Sequence, residues 1–239
     1  MAPLLELQGV SKAFGQVVVA DDLSYELAVG EVLGVVGPNG AGKTSMLNLI
    51  SGNLRPDSGR ILLDGSEITA MPAHARARAG IGRTFQIPRP FSGMTVFENV
   101  LVGAALLRRS ERLNRCVEAL TLAGLMPRAN AIAGSLTLLD RKRLDLARAL
   151  AMRPRLLMLD EIAGGLTEAE VQVLIGTIRG LKAEGLSIIW IEHIVQALVS
   201  VVDRLMATNY GRKVLDGEPR AVIANPEVQS VYLGHSVPG

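Results

Sequence analysis

Residues 37–44 read Gly37, Pro38, Asn39, Gly40, Ala41, Gly42, Lys43 and Thr44, the spacing G-x-x-x-x-G-K-[ST]. That spacing suits a polyanion. Its glycines let a loop curl until the backbone N–H groups point inward at phosphate oxygens. A helix beginning at the end of the loop adds its positive dipole end. Lys43 can reach β- and γ-phosphates, and the Thr44 hydroxyl can hold Mg²⁺, a cation that prefers oxygen ligands. The loop, with Ser45 after it, is a candidate cradle for a nucleoside triphosphate.

Two carboxylates stand downstream. Residues 156–161 read LLMLDE, an apolar strand ending in Asp160 and Glu161. Asp160 can join the shell of a bound Mg²⁺. Glu161, one residue on, can point the other way and polarise a water against the γ-phosphate. Alone, this pattern also describes a strand ending in a solvated turn; following a phosphate-binding loop, it reads as a Walker B segment. His193 follows the apolar run SIIWI and Glu192. It is either a histidine satisfied by backbone at a helix start or a donor to a phosphate oxygen. The company of the two Walker segments favours the donor.

These residues need a scaffold. Leu33–Val36 enters the loop as a buried strand, and Ser45–Ser51 leaves it with helical spacing at Met46, Leu49 and Ile50. Residues 4–36 read as short strands. Leu5 and Leu7, then Leu23, Tyr25 and Leu27, alternate with polar neighbours, as in antiparallel strands with one wet face. Pro56–Gly59 is a turn into a strand over Arg60–Leu63, which Asp64-Gly65 closes. The segment 80–95 is rich in Gly and Pro and reads as a loop and lobe boundary. Val96 to Ala151 is helical, with Val117, Leu120 and Ala123-Gly124 on one face and Arg108–Arg115 solvated. Leu156–Leu159 and Leu186–Ile191 are buried strands flanking an amphipathic helix over Glu168–Lys182, whose apolar face is Val171, Leu174, Ile175 and Ile178. Alternating buried strands and helices predict a parallel sheet covered on both faces, in an α/β fold. Residues 218–239 read as a tail in which Pro219, Pro226 and Tyr232 pack; His74 and His235 are expected at the surface.

Composition narrows the function. With 239 residues, 49% of them hydrophobic, the chain can bury a sizeable core. A net charge of +2 and an aromatic content of 3% argue against nucleic acid as a partner. Cys116 is the single cysteine, so no internal disulfide is possible and a reducing compartment is expected. The opening MAPLLELQG lacks the basic-then-apolar pattern of a secretory signal. No uncharged apolar run reaches the roughly 18 residues needed to cross a bilayer.

The order of these segments carries a resemblance. Walker A is followed by Gln86 in RTFQ, a helical stretch, SLTLLDRKRLDLARAL, LLMLDE and His193. This is similar to the nucleotide-binding domain of ATP-binding cassette (ABC) transporters over nearly the whole chain. GIGRTFQIPRPFSGMTVFENV more narrowly resembles the ATPase subunits of branched-chain amino acid importers. The resemblance implies a P-loop NTPase core with a mostly parallel sheet, an N-terminal antiparallel β subdomain and an inserted helical subdomain. Residues 1–85 and 152–239 would form the catalytic lobe and 86–151 the helical lobe. ATP and Mg²⁺ are the implied ligands. Phe14 would stack on adenine, Gln86 would reach Mg²⁺ and the attacking water, and Thr44 and Asp160 would complete the metal site. Glu161 would be the catalytic carboxylate, His193 the switch histidine, and 164–167 (GGLT) the D-loop. The implied partners are a second ABC ATPase subunit (a heterodimer, or else a second copy), transmembrane permease subunits and, through them, a periplasmic solute-binding protein. The place implied is the cytoplasmic face of the inner membrane. The rival readings are an ATP-binding regulatory subunit with weak hydrolysis and a soluble, non-transport ABC ATPase.

One segment departs from the family. Its signature L-S-G-G-Q, which caps a helix facing the γ-phosphate bound by the opposite subunit, is here Leu136, Thr137, Leu138, Leu139 and Asp140. Thr137 can still cap the helix and reads with Asp140 as a capping box. Leu139 stands where glycine would permit close approach, and Asp140 brings a carboxylate toward the phosphate, with Arg141 positioned to offset it. Ile162 replaces a usual proline, and Thr167 a usual Asp or Asn.

Overall fold

The computed structural model describes residues 2–233, with side chains to Ser230. Along the chain run β1 (Leu5–Phe14), β2 (Val17–Leu27), β3 (Val32–Val36), α1 (Lys43–Ser51), β4 (Ser58–Leu63), β5 (Ser66–Glu67), α2 (Ala73–Arg78), β6 (Ile81–Arg83), α3 (Val96–Gly103), α4 (Arg112–Leu122) and α5 (Leu138–Ala151). Then come β7 (Leu156–Asp160), α6 (Glu168–Ala183), β8 (Ser187–Ile191), α7 (Val195–Val199), β9 (Arg204–Asn209), β10 (Arg212–Gly217), α8 (Pro219–Ala224) and α9 (Pro226–Leu233). The chain forms two compact units, Met1–Arg76 with Ser187–Gly239, and Ala77–Leu186.

In the first unit, β1 pairs antiparallel with both β2 and β4. The alternation read from Leu5, Leu7, Leu23, Tyr25 and Leu27 holds, since all five are buried. The strands are long rather than short, because bulges between Leu7 and Lys12 let one ribbon bend without ending. Beside this ribbon β3 lies parallel to β8 and to β9, and β10 pairs antiparallel with β9. Every residue of β3 and β8 is buried, as a parallel strand covered on both faces requires. The Asp64-Gly65 turn closes β4 with both residues in the left-handed region, the geometry that matches strand twist in a two-residue hairpin.

Helix α1 is anchored at its far end by a residue the periodicity could not flag. Arg76 is 1% exposed, and its guanidinium donates to the carbonyls of Leu49 (2.6 Å), Ile50 (2.9 Å), Thr69 (2.9 Å) and Met71 (3.0 Å). It thus satisfies carbonyls that the last turn of α1 leaves open. Burial lowers its pKa to about 10, which still leaves it charged at neutral pH.

The second unit packs α3 and α4 against α5, and β6 runs parallel to β7. Four expectations change here and in the C-terminal segment. The Gly- and Pro-rich segment holds a strand, β6, before its loop begins. On α4 the buried positions are Cys116, Ala119 and Leu120, continued by Ala123, so the face is set by Cys116 and Val117 is exposed. Arg112 and Arg115 are not simply solvated: they donate to the carbonyls of Ala105 and Leu107 and of Leu150 respectively, tying down a loop and the end of α5. The C-terminal segment forms α8 and α9, with Pro219, Val222 and Val228 buried; the side chain of Tyr232 and all of His235 lie outside the described residues. His74 is exposed as expected. Cys116 is buried, and burial raises its thiol pKa, so it behaves as a small apolar residue.

Replacing Arg76 by Ala removes four hydrogen bonds to backbone carbonyls, two of them buried, so Arg76→Ala is expected to lower unfolding free energy by roughly 3 kcal/mol in urea titration. A loss below about 1 kcal/mol would show that α1 holds its end without this guanidinium.

Candidate nucleotide site

The phosphate loop belongs to the first unit and is shaped by backbone meeting backbone. A Cβ at Gly37 would lie 2.3 Å from the Thr208 carbonyl oxygen, and one at Gly42 would lie 2.2 Å from that of Val19. No side chain fits at either position. The Thr208 hydroxyl donates to the Val36 carbonyl (3.2 Å), and Gly211 donates its N–H to the Ala41 carbonyl (3.0 Å), so the turn between β9 and β10 braces the loop. Thr208 and Gly211 carry no signal in the sequence; only the placement of β9 beside β3 brings them here.

Helix α1 opens directly from this loop. Its N-cap is Gly42, at φ 92°, and no side chain caps it. Helices α3, α5 and α6, by contrast, are capped by the side chains of Thr95, Thr137 and Thr167. A helix N-terminus without a side-chain acceptor is suited to an anion. Lys43 is buried, and its ammonium donates to the carbonyls of Gly37 (2.7 Å) and Pro38 (2.9 Å), folding across its own loop. Thr44, Asn39 and Gly40 are exposed, and Pro38 and Ser45 are half-buried; Ala41 is buried beneath the loop.

Two further predicted residues fall in this unit. Phe14 ends β1 with 54% of its surface exposed and Val17 and Val18 exposed beside it. The Lys12 ammonium sits 5.4 Å from its ring centroid and is held by Asp57 at 2.6 Å. An exposed aromatic at a hairpin tip offers a flat face for a base. His193 lies between β8 and α7, exposed, and its backbone N–H donates to the carboxylate of buried Glu192 (3.2 Å). Helix α7 begins two residues later, so His193 is neither a core histidine nor a helix cap.

The second unit carries the carboxylates. Asp160 ends β7 at 2% exposure, and its Oδ2 accepts from Arg83 at 2.9 Å. Its N–H also donates to the Thr84 hydroxyl at 3.4 Å, while Thr84 itself donates to the Met158 carbonyl. The next residue turns sharply. Glu161 has φ 49°, a left-handed conformation uncommon for a non-glycine residue. Its carboxylate accepts from the Gln86 side-chain amide. The two carboxylates therefore face different partners, and Gln86 and Glu161 are brought together. Gln86 is held in place through its neighbour: the Phe85 N–H donates to Asp145 of α5 at 2.8 Å. Burial raises the Asp145 pKa, although that hydrogen bond and the nearby Arg148 and Lys142 oppose the rise. The Arg148 guanidinium also stacks 5.0 Å from the Phe91 ring centroid.

In the signature segment Leu136 is buried, Leu138 exposed and Leu139 half-buried. Thr137 caps α5, its hydroxyl accepting the Asp140 N–H at 3.2 Å. The reciprocal half of the expected capping box is not formed. The Asp140 carboxylate lies 3.6 Å from Arg143 and 4.0 Å from Arg128 instead, because those cations draw it along the helix. Arg141 does not offset Asp140; it donates to the Gly134 carbonyl. Thr167 forms a full capping box with Glu170 at the start of α6, and Ile162 is buried.

A glycine loop opening an uncapped helix, and a buried Asp followed by a turned Glu, define a P-loop nucleotide hydrolase. Residues 20–164 match the ABC transporter family, and the chain belongs to it: it is an ABC ATP-binding cassette and an ATPase. It is 36% identical to the high-affinity branched-chain amino acid transport ATP-binding protein BraF of Pseudomonas aeruginosa, with 98% of this chain and 99% of that protein covered. It is 37% identical to the lipopolysaccharide export system ATP-binding protein LptB of Acidithiobacillus ferridurans, with 98% of each covered. Among solved structures, the ADP conformation of MJ1267, an ATP-binding cassette of an ABC transporter, superposes with a TM-score of 0.90 at 27% identity, over 98% of this chain and 100% of that one.

The Arg83 and Asp160 side chains are 7% and 3% exposed, so neither charge is relieved by water. Arg83→Ala is expected to cost roughly 3–5 kcal/mol in chemical denaturation, and Arg83→Met combined with Asp160→Leu to regain most of that loss. A single-variant loss below about 1 kcal/mol would show that the pair does not hold β6 to β7.

Proposed function

We propose that the chain is the ATP-hydrolysing motor subunit of an importer of branched-chain amino acids or a related small solute. The observation that carries hydrolysis is the turn at Glu161, which separates its carboxylate from buried Asp160 and sets it on Gln86. A carboxylate so placed can orient and deprotonate a water for in-line attack on the γ-phosphorus, with the β-phosphate oxygen of ADP leaving. Lys43 and the first turn of α1 stabilise charge on the transferring phosphoryl group, Phe14 stacks on the base and His193 donates to a γ-phosphate oxygen. The functional lobes are residues 1–85 with 152–239, and 86–151.

Mg²⁺ fits the donors present. The Thr44 hydroxyl, the Asp160 carboxylate and the Gln86 side-chain carbonyl are hard oxygen ligands. Mg²⁺ ordinarily keeps several waters and takes its remaining ligands from substrate phosphates. When bound, it would supply charge neutralisation at the phosphates.

Identity to BraF and LptB is nearly equal, so overall similarity does not choose the cargo. The choice of an amino-acid importer rests on the segment GIGRTFQIPRPFSGMTVFENV. No described helix is long and apolar enough to cross a membrane. On the proposed reading, which rests on the family resemblance, the subunit works on the cytoplasmic face of the inner membrane, held by permease subunits, paired with a second ABC ATPase and served by a periplasmic solute-binding protein. In that pair the N-terminus of α5 faces the γ-phosphate held by the opposite subunit.

Glu161→Gln is expected to lower ATP turnover by about 10²- to 10⁴-fold, while a fluorescent ATP analogue still binds. Turnover within about threefold of wild type would remove Glu161 from the chemistry.

A further inference from the structure

We infer that Lys12 and Asp57 are positioning residues for the nucleotide base: the Lys12 ammonium occupies one face of the Phe14 ring and Asp57 holds it there, which leaves the base the opposite face of a fixed ring. The inference rests on the reading of Phe14 as the base platform and names what holds that platform in place.

Phe14 alone is a poor platform. It is exposed at the end of β1, and the turn that follows, through Gly15 at φ 59°, leads to exposed Val17 and Val18. An exposed side chain changes rotamer within nanoseconds unless a neighbour fixes it. Lys12 is that neighbour. It stands two residues before Phe14 on the same strand, the spacing that puts side chains on one face. Its ammonium lies 5.4 Å from the ring centroid, within reach of the ring quadrupole. Lysine ordinarily keeps its charged head in water, yet this side chain is only 16% exposed.

The ammonium is itself aimed. Asp57 Oδ1 accepts from it at 2.6 Å, and Asp57 Oδ2 accepts the Ala13 N–H at 2.9 Å. One carboxylate therefore bridges Lys12 and Ala13, the two residues before Phe14. It can do so because β4 begins at Ser58, opposite Ser11 of β1. Past that point the carboxylate takes the place of a strand partner. The Asp57 N–H, donating to the Ser11 carbonyl at 2.8 Å, fixes the residue that carries it. The Lys12 hydrogen bond, followed by that of the Ala13 N–H, holds the Asp57 carboxyl below the usual carboxylate range, so it is an anion at neutral pH. Asp57 lies on the link between α1 and β4. The segment that leaves the phosphate-loop helix thus returns to secure the base platform. An exposed ion pair adds little to stability; the consequence of this one is the orientation of a ring.

The test measures, by titration calorimetry on the full chain, the affinities of Mg²⁺-ATP and of Mg²⁺-tripolyphosphate, which carries phosphates and no base. Lys12→Met keeps the apolar stem and removes the charge. It is expected to weaken ATP binding about threefold and to leave tripolyphosphate unchanged, with Lys12→Arg restoring ATP affinity. Asp57→Asn is expected to weaken ATP about twofold alone and to cost nothing further beside Lys12→Met. Phe14→Ala is expected to weaken ATP about tenfold. Adding Lys12→Met to it should then change nothing, because the ring through which Lys12 acts is gone. If Lys12→Met leaves ATP affinity at the wild-type value, weakens both probes equally, or weakens ATP as much without Phe14 as with it, the inference is overturned and the base platform stands. If Phe14→Ala itself leaves ATP affinity unchanged, the reading of Phe14 fails and the inference falls with it.

Discussion

The chemistry of this molecule depends on backbone approaching backbone at the phosphate loop. A loop that presents N–H groups to an anion has to be held in shape by its other backbone groups. The structure achieves this by bracing the loop from behind. Thr208 and Gly211, from neighbouring β9 and the turn after it, hold Val36 and Ala41 by their carbonyls. Gly37 and Gly42 lie so near the carbonyls of Thr208 and Val19 that a methyl group would overlap them. Glycine is thus required at both positions for space, and at Gly42, with φ 92°, for conformation as well. The bracing also explains why α1 must be fixed at both ends. Its first turn opens directly from the braced loop, and its last turn is secured by a guanidinium buried among four carbonyls.

The carboxylates of the second unit follow the opposite logic. Buried charges are ordinarily paired, and the Arg83 guanidinium lies 2.9 Å from the buried Asp160 carboxylate. The adjacent acid faces Gln86 instead, and the left-handed turn at Glu161 separates the two carboxylates within one residue. Backbone strain of this kind persists where the surroundings over-determine it. Here they do so through Thr84, which bonds on both sides of the strand end, and through Gln86, whose neighbour Phe85 is tied to α5 by Asp145. Any shift of α5 would therefore be felt at Gln86, three residues past the strand that carries Arg83.

Much of this was legible in the sequence, and the part that was not has a common cause. The loop, the strand entering it, the Asp-Glu pair and the apolar face of α6 are written in local spacing, and local spacing is what periodicity reads. Arg76, Arg83, Thr208 and Asp145 act across long sequence separations on backbone groups, so no neighbouring residue announces them. Arg83 stood in the quoted segment RTFQ, yet its role appears only when β6 is paired with β7. On α4, reading Val117 instead of Cys116 as the buried position rotated the face by one residue, because a small thiol is a weaker pattern signal than valine. The signature segment was read correctly as a cap and incorrectly as a box. Propensity placed Thr137, but the choice of Asp140 between a backbone N–H and two arginines depends on Arg128 and Arg143, which no helix-start rule includes.

A helix N-terminus can serve either as a receptor for an external anion or as a satisfied structural end, but not fully as both. Each internal acceptor removes an N–H, and each internal carboxylate offsets part of the dipole. This chain makes both choices, leaving the glycine-capped start of α1 without a side-chain acceptor and completing the start of α5 with the Thr137 hydroxyl.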